Sequence, residues 1–262
     1  MSILSRSSLH LMCGLALGTL LVAAPCAAES VSSGLRRDTK LYFTAPLRWD
    51  QREWLYFGGT VLAIGVAHGY DGHVRTHFTT DKEVLDGRDR HSLRDAAPTV
   101  ALVAATWAFA TIADDSAGYK ETWAMLEAGG LSAISTTALK FAAGRRRPNE
   151  TTRVNDWSRG GGSFPSLHTS AAFAIGTVFA ESGGDDFRSI RRALGYGIAG
   201  ATAYVRVRDN VHWLSDTVAA AALGMATAHF VMRREDARSQ RTALSVTPVD
   251  GGAVLTYTVT LH

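Results

Sequence analysis

Residues 165–181 read PSLHTSAAFAIGTVFAE, a proline and a serine ahead of an alanine-rich apolar run. That order is the start and body of a helix, since proline's fixed φ suits helix entry ahead of an apolar run. The unsatisfied N–H groups of such a start also favour a bound anion. Working outward, apolar helical segments are read at about 54–68, 97–113, 122–143, 191–206 and 214–232. With 168–181 they predict an all-α fold, a bundle of about six core helices. The C-terminus differs in character. Leu255, Tyr257, Val259 and Leu261 alternate with threonines, and Asp250-Gly251-Gly252 separates them from Leu244–Val249. This pattern predicts a short β-hairpin over 241–262.

Two further stretches flank the 165–181 helix with charged chemistry. The first, Lys140 to Pro148 (KFAAGRRRP), closes the 122–143 segment, and Gly144 and Pro148 signal that the helix is ending. Lys140 and Arg147, seven residues apart, are expected on one helix face. The second, Arg206 to Asp216 (RVRDNVHWLSD), sets His212 and Asp216 four apart. One helical turn would let the carboxylate hold one imidazole nitrogen and leave the other for substrate, the geometry of an oriented nucleophile or base. Ammonium, guanidinium and imidazole groups spread over these stretches suit a tetrahedral oxyanion. A phosphate monoester carries close to two negative charges, and attack on it needs fixed positive donors, a nucleophile and an acid.

The order and spacing resemble the type-2 phosphatidic acid phosphatase superfamily, which includes bacterial class A acid phosphatases and vanadium haloperoxidases. The family pattern is Lys, six residues, Arg-Pro; then Pro-Ser-Gly-His; then Ser-Arg, five residues, His, three residues, Asp. Lys140 and Arg147-Pro148 match the first part; Pro165, Ser166 and His168 the second; Arg206, His212 and Asp216 the third. Leu167 stands where glycine is usual and Val205 where serine is usual. The matching region covers roughly residues 95–235. The resemblance implies that His212 attacks phosphorus to form a phosphohistidine, that Asp216 holds its ring and that His168 protonates the leaving alcohol. Lys140, Arg147, Arg206 and Ser166 would hold the phosphoryl oxygens. Leu167 would offer its amide N–H while reshaping the pocket towards apolar substrates. No metal or other cofactor is required, since three cations can neutralise the equatorial oxygens. The substrate would be a phospholipid, an isoprenoid pyrophosphate or a small phosphate ester. Two alternatives share the pocket: a vanadate-dependent haloperoxidase, and a non-catalytic binder of phosphate or lipid headgroups.

Residues 1–28 have the form of a secretory signal, with Arg6 in a short n-region, an apolar core from Leu11 to Ala24, and Cys26-Ala27-Ala28 before Glu29. An uncleaved anchor is the competing reading. Both cysteines, Cys13 and Cys26, fall inside this segment, so the mature chain would hold no disulfide and no cysteine nucleophile. The remainder, 29–240, is expected to form one helical phosphatase domain ahead of the 241–262 extension. Loss of residues 1–28 removes one arginine and no acid, leaving 26 basic against 24 acidic side chains. That balance excludes a nucleic-acid footprint. Contact with a membrane surface and homo-oligomer formation stay open as partnerships.

A mean hydropathy of +0.01 and the charges inside several helices favour a soluble exported, periplasmic protein over an integral or membrane-associated one. Segment 97–113 is the exception, being nearly long enough to span. His68, Asp71, His73, His77 and Asp81 are a candidate ligand cluster, outweighed by the reading of 71–94 as a solvated polar loop. The run Gly160-Gly161-Gly162 is read as a flap or a plain connector, and the Arg188–Arg192 cluster as a solvated interhelical loop.

Overall fold

The computed structural model describes residues 39–79, 89, 92–184, 187–249 and 252–259. The signal segment, Asp81, and the turn residues Asp250 and Gly251 lie outside the described residues. The chain divides into two units, Met1–Arg48 and Trp49–His262. In the first, a helical stretch over 39–43 leads into a 3-10 turn at Ala45–Arg48, and Arg48 Nη2 donates to Leu41 O at 3.1 Å and to Thr44 Oγ1 at 3.0 Å.

The second unit holds six long helices among the described residues: α1 (Gln51–Phe78), α2 (Ser92–Ala113), α3 (Ser116–Ala143), α4 (Leu167–Glu181), α5 (Arg188–Arg208) and α6 (Leu214–Arg241). Local chemistry explains their starts and stops. Asp50 caps α1 reciprocally with Glu53, each side chain accepting from the other residue's backbone N–H. Asp115 caps α3, and Gly144 ends it in the left-handed region at φ 54°, a conformation open to glycine without steric cost. Ser166 caps α4, its side chain accepting from the Thr169 backbone N–H. Two strands, β1 (Thr242–Val249) and β2 (Gly252–Val259), pair antiparallel with Thr242 opposite Val259.

α4 sits at the centre, packed by α3, α5 and α6. Its small residues make this position available. A Cβ on Gly176 would lie 2.5 Å from Gly195 O of α5, and one on Gly224 of α6 would lie 2.4 Å from Ser170 O. Neither is sterically tolerable, so these glycines set the helix separations. Ala172, Ala174, Val178 and Ala180 fill the buried face, and a Thr136–Ser170 hydroxyl pair at 2.7 Å satisfies both groups between α3 and α4.

Two readings of the loops need correction. The polar segment from Asp71 is not a loop up to Arg94: α1 continues to Phe78 and α2 begins at Ser92. The helix carries a carboxylate inward at Asp71 because a guanidinium meets it there, so a polar residue occupies a core-facing position. The Arg188–Arg192 cluster likewise is the first turn of α5; Arg191 pairs with Glu121 and Arg192 with Glu181.

The outer helices show a different surface. Trp54, Leu55, Leu62 and Val66 of α1, Val100, Phe109 and Ile112 of α2, and Trp123, Ile134 and Phe141 of α3 are all exposed. Ser92–Ala113 and Leu214–Glu235 are each long and apolar enough to cross a membrane.

Candidate active site

Asp216 organises the site. It lies in the first turn of α6, and its Oδ2 accepts from the Trp213 backbone N–H at 2.9 Å, a carboxylate turned back onto the free end of its own helix. The same oxygen accepts from Ser163 Oγ at 2.5 Å, while Oδ1 accepts from Arg145 Nη1 at 2.7 Å. His212 stands before the helix, in the turn after α5, rather than one turn along it as the four-residue spacing suggests. Its N–H donates to Arg206 O at 3.2 Å, which ties it to the end of α5. His212 Nδ1 faces Asp216 Oδ2 at 3.6 Å, longer than a hydrogen bond, and is otherwise buried without a hydrogen-bond partner. The pair is therefore aligned and one small approach from closure. Burial pushes the imidazole down to about 3, Lys140 and Arg206 adding to the effect and Asp216 opposing it, so the ring is neutral and nucleophilic at physiological pH.

The cations come from three elements. Lys140, in the last turn of α3, donates to Gly162 O at 2.5 Å. Because α3 ends at Gly144, Arg147 lies beyond the helix, and the shared helix face expected for these residues does not exist. The chain between them turns back on itself instead. Ser158 N donates to Ala143 O, Gly161 N to Gly144 O and Ser163 N to Arg145 O. The glycine run is pinned against the Arg145 backbone, where a Cβ on Gly161 would lie 2.3 Å from Arg145 O; it is not a free flap. Burial, with Arg147 and Arg206 nearby, lowers the Lys140 ammonium to about 8, against the pull of Asp216 and Asp89.

Arg206 is buried at the end of α5 and Arg147 is partly exposed. They meet at one carboxylate. Asp89 accepts from Arg206 Nη1 at 3.0 Å through Oδ1 and from Arg206 Nη2 through Oδ2, and Arg147 Nη1 lies 3.4 Å from that Oδ2. Asp95 of α2 takes a further contact from Arg206 Nη1 at 2.9 Å. His168, in the first turn of α4, sits beside this group with Nε2 at 3.1 Å from Ser92 O and 3.0 Å from Ser92 Oγ. Burial lowers its imidazole, Arg206 pushing the same way and Asp89 and the Ser92 carbonyl opposing. Ser166, fully buried, donates its N–H to Asp216 O at 3.2 Å and caps α4. Leu167 heads α4, its carbonyl accepting from Ser170 Oγ at 3.1 Å. Val205 lines a cavity of about 580 Å³ between α2 and α5, with Pro98, Leu194 and Ile198; Asp95 joins that cavity to Arg206.

Nothing local in the KFAAGRRRP stretch separates Arg145 from Arg147, yet Arg145 is fully buried and bridges Asp71 Oδ2 at 2.7 Å and Asp216 Oδ1 at 2.7 Å. Its guanidinium lies between the rings of Trp157 and Trp213, at 4.5 and 5.1 Å. Ser215 Oγ donates to Asp71 Oδ2 at 2.6 Å, and His68 stands between Asp71 and Asn155. His68 and Asp71 thus serve this buried charge network. Among the described residues no three His, Cys, Asp or Glu side chains gather as a metal site. Asp89, Asp95 and Ser92 were also missed. They fall in a charged segment with no periodic signal, and only their arginine and histidine partners mark them.

Residues 121–240 match the model of the PAP2 superfamily. An 86-residue stretch, 33% of this chain, is 36% identical to a lipid A 1-phosphatase of Porphyromonas gingivalis and spans 17% of that protein's length. No solved structure matches.

Proposed function

From the PAP2 superfamily pattern that this chain carries over residues 121–240, we propose that it is a metal-independent phosphatase acting on phosphomonoesters through a phosphohistidine. The observation that carries this reading is the convergence of Lys140, Arg147, His168 and Arg206 around a single bound carboxylate, beside a neutral His212 backed by Asp216. Because Nδ1 of His212 faces Asp216, Nε2 is the attacking atom. The N–P bond forms as the P–O bond to the leaving group breaks, and the three cations take up charge on the equatorial oxygens. The negative charge of the bound phosphoryl group opposes the lowering of His168 by burial, so the ring is protonated in the complex and supplies its proton to the leaving oxygen, which replaces Ser92 as its partner. Water then attacks the phosphohistidine, its proton passing to His168, and inorganic phosphate leaves.

The exposed apolar residues of α1 to α3 favour membrane association over the soluble form suggested by mean hydropathy. Together with the apolar cavity beside Arg206, they favour a lipid phosphate over a soluble ester. The strand pair after α6 is read as the expected hairpin, a C-terminal extension of the helical domain. The test is a panel of lipid and soluble phosphate esters on the membrane fraction, with chase of a labelled phospho-enzyme. An acid-labile, base-stable label that disappears in His212→Ala supports the reading, whereas undiminished turnover in that variant refutes it. Halide oxidation by vanadate-loaded protein would instead favour the haloperoxidase alternative.

A further inference from the structure

Asp89 supplies an anion at the position where the reading above needs a phosphoryl group. Its carboxylate is held two-pronged by Arg206, approached by Arg147 at 3.4 Å, and close enough to Lys140 and His168 for its charge to act on both. These are four of the groups assigned to the phosphate and its leaving oxygen. A planar carboxylate between two guanidiniums makes the contacts that two phosphoryl oxygens would make. The pair is no solvated surface bridge: Arg206 is 1% exposed and Asp89 19%. Burial by itself would raise the Asp89 carboxyl, but the Arg206 hydrogen bonds, with Arg147 and His168, outweigh it and hold the group at about 2. Asp89 is therefore an anion at any physiological pH. Arg206 would not lose all anchorage without it, because Asp95 Oδ2 holds the same Nη1 at 2.9 Å.

We propose that Asp89 is an internal competitor, a carboxylate that occupies the phosphoryl subsite and must be displaced by substrate. This rests on the phosphatase reading of the site. The chemistry of the competition sets which substrates succeed. A phosphodiester or a carboxylate brings one negative charge and two free oxygens, no more than Asp89 already offers, so exchange gains little. A phosphomonoester brings nearly two charges and three oxygens, and can engage Lys140 as well as both arginines. Displacing Asp89 weakens every phosphoryl ligand by the same factor, so a monoester, with its higher intrinsic affinity, still binds at concentrations where a diester no longer does. If the occupied form makes up nine-tenths or more of the free protein, apparent phosphate affinity is reduced by about tenfold or more.

The experiment measures binding of inorganic phosphate and of dimethyl phosphate to wild type, Asp89→Asn and Asp89→Ala, alongside His212-dependent turnover of one monoester. Both variants should bind inorganic phosphate and dimethyl phosphate about tenfold tighter, each by a similar factor. Unchanged or weaker phosphate binding in folded variants would overturn the proposal, because Asp89 would then be a support that positions the arginines. Should neither variant fold, the structure of wild type with orthovanadate decides. Vanadate between Arg147 and Arg206 with Asp89 moved off them supports it, and vanadate bound while Asp89 keeps both Arg206 contacts overturns it. Weakened binding with His212-dependent turnover intact would sink the Asp89 assignment alone. Wild type inert on every phosphate ester would sink the catalytic reading beneath it.

Discussion

Arg145 and Arg147 stand two residues apart in one loop, and their surroundings give them opposite tasks. Arg145 has no solvent exposure and meets two carboxylates, Asp71 and Asp216, that are equally buried. Arg147 keeps 21% of its side chain exposed, and among the described residues its guanidinium pairs with Asp89, which it shares with Arg206. On the first side two carboxylates enclose one guanidinium; on the second three cations, Lys140, Arg147 and Arg206, face two carboxylates, Asp89 and Asp95. An enclosed cation braces a fold, and surplus positive charge attracts an anion. Asp216 belongs to both, since Arg145 holds one oxygen while the other faces His212.

The comparison can be broken most severely at His212. Replacing it by Ala should lower kcat by at least about 10³-fold, since under the proposed mechanism the nucleophile has no substitute. Steady-state hydrolysis and loss of the phospho-enzyme label would check this. Next, Arg145→Ala should cost about 3–5 kcal/mol of stability by leaving Asp71 and Asp216 buried without their shared cation. Denaturant unfolding measures it, and a loss under 1 kcal/mol would remove Arg145 from the structural side.

Arg147→Ala should do the reverse, shifting stability by less than about 1 kcal/mol while lowering kcat/KM by about 10²-fold through loss of one donor to the transferring group. A stability loss matching that of Arg145→Ala would erase the distinction between the two sides. The mildest effect should be in pH. Lys140 is lowered to about 8, so its charge is present below that value and lost above it. The kcat/KM profile should therefore fall on the alkaline side with an apparent pKa near 8. Lys140→Arg should move that limb upward, because a guanidinium does not titrate there. An unmoved limb would assign it to another group.

Much of the helical layout was legible because it is local. The apolar period from 168 to 181, the helix start at Pro165 and the Gly144 stop each depend on neighbours within a turn or two. Spacing arguments fared worse once the chain left a helix. Lys140 and Arg147 lie near enough for their charges to interact because the segment after Gly144 folds back, and His212 faces Asp216 across a helix start rather than along a turn. The first helix was read short because Asp71 interrupts the apolar pattern, and its partner Arg145 lies 74 residues away.

By itself the sequence determined which side chains can carry charge, attack phosphorus or end a helix, and where the helical segments run. Only the tertiary structure decided which arginine is neutralised and which is left to bind, and that a carboxylate 117 residues from Arg206 fills the cradle. Charge pairing acts through space and falls off within a few ångströms, so it depends on which distant residues the packing of α4 brings together, and no local pattern along the chain records that.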